Sequence, residues 1–554
     1  MGNTVSGAGA FFCKVNLQSL PAAVILMDHG VMERRNPPRK TQFVRRPAEG
    51  PAQPGTFCDM AIHQFLAMAA VLLLLGVFSS KLSSRFNVPI LLLFLTVGML
   101  TGSDGLGWVH LNGAVHAGPI NFLGTVAMCF ILYSGGLDTN YRSIKGVLGY
   151  GGLLASAGVL ITALLVGVGA WLLFDYDLRW CLLLGSIISS TDAAAVFAIL
   201  RSKSVSLKGE LQPLLELESG SNDPMAAFLT IFMIGVVQGS GGALWTFIPT
   251  FLAKMSIGIA GGYLIGRAGC WLFNKLKLEY EGLYFVTGVA IIIFSYGLTE
   301  SLFGNGFMAV YVCGLTMGNR RYNFKKGLLR FSDGLAWLMQ VTLFTTLGML
   351  VNPHELFATN VWSLGLLLAL VLMFVARPVS IFLCLFHSRF SLSERTLISW
   401  VGLRGAAPIV LATFPMVDQV ENANMMFNMV FFIVLASVLI QGRTLMPVAK
   451  FLKLDRPLSD KSRIPLELEE TDSINSEMHE FDVHPDAEFV NKSLAEMNLP
   501  NGVLVMLIRR DGHFILARGN TIIQANDGML MMGDRPTMAK VAKQFFPDSD
   551  YDPD

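Results

Sequence analysis

Long apolar runs recur along most of this sequence, and they limit what the chain can fold into. Of its 554 residues 53% are hydrophobic and 15% are charged, and the mean hydropathy is +0.54. A helix needs about 20 apolar residues to cross a bilayer, and such runs alternate here with short polar loops. The composition therefore predicts an all-α polytopic membrane protein and excludes an ordinary soluble domain.

Charge and cysteine usage exclude other classes of partner. The net charge of +1 gives no indication of nucleic-acid binding. The seven cysteines form no Cys-x-x-Cys pair, and most of them lie in apolar runs. We therefore expect neither a disulfide framework nor a zinc site, and no cofactor that these residues would hold.

The apolar runs predict about thirteen membrane spans, of which the second and the ninth are short. The spans lie near residues 62–80, 88–102, 120–137, 147–173, 180–200, 213–237, 244–273, 283–303, 305–318, 333–351, 361–386, 396–416 and 425–448.

Basic residues are unevenly divided among the loops between these spans. Every second loop carries Lys or Arg, as at Arg142 and Lys145, whereas loops such as 103–119 have none. Cytoplasmic loops are the ones enriched in Lys and Arg. The pattern predicts a multi-pass protein whose C-terminus is cytoplasmic and whose membrane domain begins on the external side.

Residues 1–59 do not fit this arrangement. They carry a basic, proline-bearing stretch at 32–40 but no convincing secretory signal. We interpret them as an N-terminal extension that is either non-native or disordered. If it is non-native, translation begins at Met60.

The character of the sequence changes again after residue 452. We predict a membrane domain over 60–452, a polar linker over 453–474, a small cytoplasmic α+β domain over 475–547 and a tail over 548–554. In the small domain we expect a short helix at 491–498 and strands at 502–508, 513–518, 521–524 and 528–533. The domain has no Walker loop, and we interpret it as a sensor or a dimerisation module.

Three carboxylates lie inside the fifth and sixth spans, and they indicate a working site. Asp192 follows Ser190 and Thr191, while Glu218 and Asp223 lie within the sixth span. An ionised side chain at mid-bilayer costs roughly 2.5 to 3.5 kcal/mol. The polar run around Asp192 predicts a helix interrupted at mid-depth, where exposed backbone can coordinate a cation. The alternative is a continuous helix that packs through its small residues.

Helical spacing assigns different directions to the side chains of the sixth span. Ser219 and Asp223 are four residues apart and share one face, whereas Glu218 and Asn222 share a face about 100° further round. We expect Asp223 and Ser219 to face an ion together with Asp192. Glu218 and Asn222 then face a neighbouring helix, where Glu218 requires a cationic partner.

Two arginines in later spans are candidate partners. Arg377 lies deep in the eleventh span, and Arg404 lies in the twelfth, flanked by Gly402, Gly405 and Pro408. The glycines and proline predict a second interrupted helix, and two interrupted helices in the two halves of a chain are typical of a transporter built from inverted repeats. For either arginine the alternative is snorkelling to the cytoplasmic interface.

These motifs together resemble a known family. Their order and spacing over residues 62–450 are similar to those of the monovalent cation:proton antiporter-1 family, the NhaP-type exchangers. The stretches 190–197 and 398–411 resemble its potassium/proton antiporter branch, and residues 475–547 resemble the TrkA-C (RCK-C) regulatory domain. The motifs are Ser-Thr-Asp at 190–192, Glu-Ser-x-x-Asn-Asp-Pro at 218–224, Arg-Pro at 377–378 and Gly-Leu-Arg-Gly-Ala at 402–406.

The resemblance implies a site and an assembly. It implies a homodimer in the lipid bilayer, in which one half of each chain forms the interface and the other carries the ion. It implies that Arg377 pairs with Glu218 and that Asn222, beside Asp223, accompanies electroneutral exchange. Many family members have Pro where this chain has Ala193. The residues that the resemblance places around the cation are Thr191, Asp192, Glu218, Ser219 and Asp223, with Asn222, Arg377 and Arg404 in support.

The function implied is antiport, not enzymatic catalysis. Intracellular K⁺ would exchange for external H⁺ across a bacterial inner membrane, with a proton and the cation competing for Asp192 and Asp223. A Na⁺(Li⁺)/H⁺ antiporter is the nearest alternative. A cation channel and an intramembrane aspartyl protease are more remote, since the sequence has neither a TVGYG-like filter nor a Gly-x-Gly-Asp motif. A nucleotide is one possible ligand of the TrkA-C domain.

Overall fold

A computed structural model describes most of the chain. It covers residues 62–86, 90–109, 111, 113–203, 205–239, 244–276, 278–351, 354, 361–457, 476–485 and 487–546. The predicted extension at 1–59, most of the predicted linker at 453–474 and the predicted tail at 548–554 lie outside the described residues.

Helices make up nearly all of the described chain before residue 452. In the first part they are α1 (Ile62–Phe86), α2 (Ile90–Thr101), α3 (Gly113–Asp138), α4 (Tyr141–Lys145), α5 (Leu148–Leu153), α6 (Val159–Leu173), α7 (Leu178–Ile187), α8 (Ala193–Ser202) and α9 (Leu211–Val237). The helices that follow are α10 (Phe247–Lys275), α11 (Gly282–Ser301), α12 (Gly306–Gly318), α13 (Lys325–Leu350), α14 (Val361–Val371), α15 (Arg377–Cys384), α16 (Leu392–Trp400), α17 (Ala406–Leu411), α18 (Phe414–Val417) and α19 (Ala423–Phe451).

Seven of the described helical segments are long and apolar enough to cross a membrane. Shorter apolar helices, such as α2, α7 and α12, accompany them. The predicted helical membrane class is confirmed, whereas the number of spans stays a prediction. The seven long segments are 116–138, 148–173, 211–237, 247–275, 282–301, 362–384 and 423–451.

Two of the predicted spans are interrupted, and two others continue through a π turn. The helical backbone stops between α7 and α8 and again between α16 and α17, at 188–192 and 401–405. By contrast, π turns at Leu154–Gly158 and Leu372–Ala376 join α5 to α6 and α14 to α15. Pro378 follows the second π turn, and proline removes a helical hydrogen bond, which explains the local rearrangement.

Small residues let the membrane helices approach closely. The closely packed pairs include α10 with α12, α3 with α12, α6 with α7 and α2 with α13. At the last of these, a Cβ placed on Gly98 would lie 2.8 Å from the Cα of Gly348. Glycine at that point lets the two backbones pack directly, which is the usual way in which membrane helices associate.

A short two-stranded ribbon joins two segments that are distant in sequence. Strand β1 (Val205–Leu207) lies between α8 and α9 and pairs antiparallel with β2 (Asp455–Pro457), which follows α19. The register places Val205 opposite Pro457. Three residues that we expected in an unstructured linker therefore form a strand.

The C-terminal unit is a small α+β fold. Four strands, β3 (Ser476–Asp482), β4 (Val503–Arg510), β5 (His513–Leu516) and β6 (Gly528–Asp534), form an antiparallel sheet in the order β3-β6-β4-β5. Helix α20 (Arg535–Phe545) completes the unit. Its core consists of buried apolar side chains from the sheet and from α20, among them Phe481, Ile508, Met529 and Val541.

Three local features of this unit differ from the predictions. Residues 521–524 form no strand, because only one isolated bridge connects Ile522 to Ser493. The sheet nevertheless has four strands, because β3 forms at Ser476–Asp482, where we predicted no strand. The predicted helix at 491–498 shrinks to a 3₁₀ turn, Leu494–Met497, which begins at a capping box formed by Ser493 and Glu496.

Candidate cation and proton site

The two interrupted helices meet at their breaks. The backbone N–H of Asp192 donates to the carbonyl of Leu403 at 2.8 Å, so one non-helical segment is hydrogen-bonded to the other. Irregular backbone at membrane depth is tolerated only where protein or a cavity surrounds it, and both segments are almost entirely buried. The crossing fixes where the backbone groups of both breaks point.

Arg404 lies at the centre of this crossing and has no exposed surface. Its Nη1 donates to the carbonyl of Ser189 at 2.8 Å and also to the carbonyl of Ser190. These carbonyls follow the C-terminus of α7, where a helix dipole favours positive charge. Arg404 therefore stabilises the first break and does not snorkel to the interface.

Side chains of α19 form hydrogen bonds with the backbone at the second break. The Ser437 hydroxyl accepts from the Arg404 backbone N–H at 3.4 Å and donates to Gln441 Oε1 at 2.5 Å. Gln441 Nε2 in turn donates to the carbonyl of Trp400 at 3.0 Å. Backbone groups that leave the helical pattern thus have side-chain partners, as buried polar groups require.

Helix α9 supplies polar groups to the first break. The Ser219 hydroxyl accepts from the N–H of Ala193 at 2.9 Å and donates to the carbonyl of Thr191 at 3.1 Å. Asn222 Nδ2 donates to Thr191 Oγ1 at 2.5 Å. Asn222 therefore contacts the polar segment itself. The N–H of Ala193 is a donor that a proline at this position would lack.

Asp192 caps the helix that follows it. Its Oδ1 accepts from the N–H of Ala195 at 3.1 Å at the start of α8, where a carboxylate is favoured by unpaired N–H groups. Gly405 lies against the other side of Asp192, since a Cβ built on Gly405 would overlap the carboxylate. The orientation of Asp192 thus depends on both breaks.

Glu218 and Arg377 form a buried ion pair beside the crossing. Arg377 Nη2 lies 2.5 Å from Glu218 Oε1, and the two side chains are 3% and 1% exposed. Gly402 gives the arginine room, because a Cβ at that position would lie 2.8 Å from Arg377 Nε. The guanidinium compensates a carboxylate that would be very costly to bury alone.

Asp192 and Asp223 line the same small cavity, of about 40 Å³. Ser190 and Thr191 also line it. Residues of α3 and α13, including Met128 and Gln340, contribute to the same lining. A cavity of this size has room for a monovalent cation with very few water molecules.

The arrangement suits a small cation or a proton. Its wall offers two carboxylates and two hydroxyls, the hard oxygen ligands that group 1 and group 2 cations prefer. Among the described residues no group of three or more His, Cys, Asp or Glu side chains is arranged to hold a metal ion.

The sequence did not indicate which residues of α3 and α13 line the cavity together with the carboxylates. Gln340 and Phe344 of α13 and Met128 of α3 line the cavity, and none of them was among the predicted site residues. An uncharged amide within an otherwise apolar run was the only available signal at Gln340. Spacing within one helix cannot identify which distant helix lies opposite it.

Two carboxylates in one cavity at the crossing of two interrupted helices define a class of protein, the membrane cation/proton antiporters. Comparison with known proteins agrees with this class. The family model "Sodium/hydrogen exchanger, transmembrane" matches residues 68–451, and the TrkA-C domain model matches residues 478–545. The chain belongs to the sodium/hydrogen exchanger family and carries a TrkA-C domain, which confirms both resemblances.

Several relatives match over nearly the whole chain. The K(+)/H(+) antiporter NhaP of Alkalimonas amylolytica is 38% identical over 87% of this chain and 83% of its own length. The K(+)/H(+) antiporter NhaP2 of Shewanella sp. (strain ANA-3) is 34% identical over 88% of this chain and 84% of its own length. The Na(+)/H(+) antiporter NhaH of Halobacillus aidingensis matches a smaller part, at 27% identity over 54% of this chain and 75% of its own length.

A solved structure supports the fold. The sodium proton antiporter MjNhaP1 from Methanocaldococcus jannaschii superimposes with a TM-score of 0.60, at 22% sequence identity, over 69% of this chain and 100% of its own. At this identity the likeness concerns the fold alone.

Proposed function

We propose that this protein is a secondary active antiporter that exchanges intracellular K⁺ for external H⁺ across a bacterial inner membrane. The observation that carries the proposal is the shared cavity, in which Asp192 and Asp223 lie together where the two interrupted helices cross. The names of the relatives that match most of the chain support K⁺ as the cation.

The charge of the cavity explains how the two fluxes are coupled. An empty site with ionised carboxylates carries a net negative charge, and moving that charge through the low-dielectric part of the protein is costly. A cation or a proton on the carboxylates offsets it. If the site changes its access from one side of the membrane to the other only when it is loaded, each cation carried one way is matched by a proton carried the other way.

The surrounding residues have distinct roles in this mechanism. Asp192 and Asp223 bind the cation and the proton, and Thr191 lines the same cavity, while Ser219 holds the backbone of the first break through its two hydrogen bonds. Arg404 keeps the first break open by holding its carbonyl groups. The Glu218–Arg377 pair stabilises the position of α9.

We further propose that the exchange is electroneutral. The residue before Asp223 is the neutral Asn222, which is used as a hydrogen-bond donor to Thr191. One cation then exchanges for one proton. Clamping the membrane potential at different values should leave the exchange rate unchanged, whereas a rate that follows the potential would contradict this part of the proposal.

The proposed arrangement in the membrane follows the charge of the loops. We propose about thirteen spans, with the start of the membrane domain outside, the C-terminus in the cytoplasm, and a homodimer. Large apolar side chains on the surface of α10, such as Ile248 and Leu264, are exposed in the single chain and suit lipid or a second copy. The domain bounds proposed are 1–59, 60–452, 453–474, 475–547 and 548–554, with the TrkA-C domain in a regulatory role.

Na⁺/H⁺ exchange is the second candidate function. The Halobacillus relative is described as a Na(+)/H(+) antiporter. Its identity to this chain is lower than that of the K⁺ antiporters, at 27% against 38% and 34%. The sequence similarity therefore favours K⁺.

Proton movement in everted membrane vesicles tests the function. Addition of K⁺ should dissipate a preformed pH gradient in vesicles with the wild-type protein, more effectively than Na⁺ or Li⁺. Asp192→Asn and Asp223→Asn should abolish the response, while Glu216→Gln, a carboxylate on α9 that does not line the cavity, should retain it. A response that persists in Asp223→Asn would refute the mechanism, and a strong Na⁺ preference would favour the second candidate.

A further inference from the structure

The helices α3 and α13 bring one polar side chain to the cavity. Among the described residues that line it, they contribute Met128, Ile131, Leu132, Gln340 and Phe344. Four of these side chains are apolar. Of these five described residues, Gln340 is the one whose side chain carries an oxygen, and it lines the cavity that also holds Asp192 and Asp223.

Within the part of the chain that the structure describes, the side-chain amide of Gln340 makes no hydrogen bond. Other glutamines on the membrane helices are used differently: Gln212 donates to Glu216, and Gln441 both donates to Trp400 and accepts from Ser437. A half-buried amide on an apolar wall is unfavourable unless something else occupies its oxygen.

We propose that Gln340 is a ligand of the transported cation and sets the preference among monovalent cations. This inference rests on the proposed antiport function and adds a residue to its site. The Oε1 atom is a neutral oxygen ligand with two lone pairs. It completes from the α13 side a coordination shell that the carboxylates and hydroxyls form on the other side.

The chemistry of an amide explains why it would influence selectivity. Selectivity between K⁺ and Na⁺ depends on the size of the cavity and on the number and field strength of the oxygen ligands. A neutral amide oxygen on a long, flexible side chain adapts to a large ion and adds no charge. Shortening this side chain withdraws the oxygen by one methylene, and a smaller ion held close to the carboxylates depends on it less.

Three variants test the inference. Gln340→Met keeps the length and removes the oxygen, and Gln340→Asn keeps the oxygen on a shorter side chain. Gln238→Met is the matched control, because it makes the same exchange at an exposed position after α9, where Nε2 donates to the Asp418 carbonyl. The measurement is initial exchange rate against K⁺, Na⁺ and Li⁺ concentration in everted vesicles at a fixed pH.

A cation ligand predicts a specific change in these rates. Gln340→Met should raise the KM for K⁺ about tenfold, the order expected when one polar ligand of a charged group is lost, and leave the maximal rate unchanged. Gln340→Asn should lower the preference for K⁺ over Na⁺, and Gln238→Met should match the wild type. A purely structural role would lower the amount of folded protein and leave KM unchanged.

The outcomes separate this inference from the proposed function. If the wild type shows exchange and Gln340→Met has a KM for K⁺ within twofold of it, or a lower one, the assignment of Gln340 is wrong and the antiport function stands. If no cation dissipates the pH gradient in wild-type vesicles, the proposed function itself fails.

Discussion

Replacing Arg377 by methionine removes one half of the buried pair with Glu218 and leaves a carboxylate among helices with no countercharge. The two side chains are 3% and 1% exposed, so water neither screens the pair nor solvates the remaining charge. Removing one partner of such a pair costs about 3 to 5 kcal/mol of folding stability. We expect Arg377→Met to lose stability in this range.

A surface pair offers the matched comparison. Arg389 and Glu210 also form an ion pair, but their side chains are 55% and 42% exposed. Exposed pairs contribute about 0 to 1 kcal/mol. The same substitution, Arg389→Met, should therefore have a small effect, although Arg389 also donates to the carbonyl of Gly146.

The assay is unfolding of the purified protein in mixed micelles, titrated with a denaturing detergent. The double variant Glu218→Gln/Arg377→Met removes both charges and should recover most of the stability that Arg377→Met loses. The reasoning is refuted if Arg377→Met is as stable as Arg389→Met. It is also refuted if the double variant is no more stable than Arg377→Met.

Two further predictions concern a glycine in the site and a carboxylate in the C-terminal unit. Gly405→Ala should raise the cation KM about tenfold or more by displacing Asp192, whereas Gly334→Ala, where a Cβ meets nothing within 4 Å, should not. Hydrogen bonds from Ser493 lower the pKa of Glu496 in the folded protein. The stability that this carboxylate contributes as a helix cap is therefore fully present above the pKa of Glu496 in the unfolded chain, and it is lost as the pH falls through the lower pKa of the folded protein. In a hydrogen-exchange measurement, protection of the Ser493 amide should decrease at acidic pH, where Glu496 becomes protonated. In Glu496→Gln the protection should already be weak at neutral pH. Protection that does not change as the pH falls would contradict this prediction.

Both carboxylates of the cavity could be predicted because isolated charges in apolar runs have few explanations. Asp192 and Asp223 cost too much in a membrane span to be retained without a role. The second break was equally visible, since Gly402, Gly405 and Pro408 cluster within a single span. Such signals are local, and a sequence carries them directly.

What could not be predicted depends on contacts between distant segments. Gln340 carries no charge, and nothing in its own helix shows that α13 faces α9 across a cavity. Strand β3, Ser-Glu-Met-His-Glu-Phe-Asp, has only two apolar residues and follows a polar linker, so its pairing with β6 decides its structure. Residues 521–524 have strand-like composition, but only one bridge forms there.

The central claim is that the cation and the proton share Asp192 and Asp223, and the pH dependence of cation binding tests it most directly. The measurement is the apparent KM for K⁺ in proteoliposomes of the purified protein at a series of pH values. If one proton competes with one cation, the KM should rise by up to about tenfold for each unit by which the pH falls, with an unchanged maximal rate. A KM for K⁺ that is independent of pH while exchange continues would contradict the shared site.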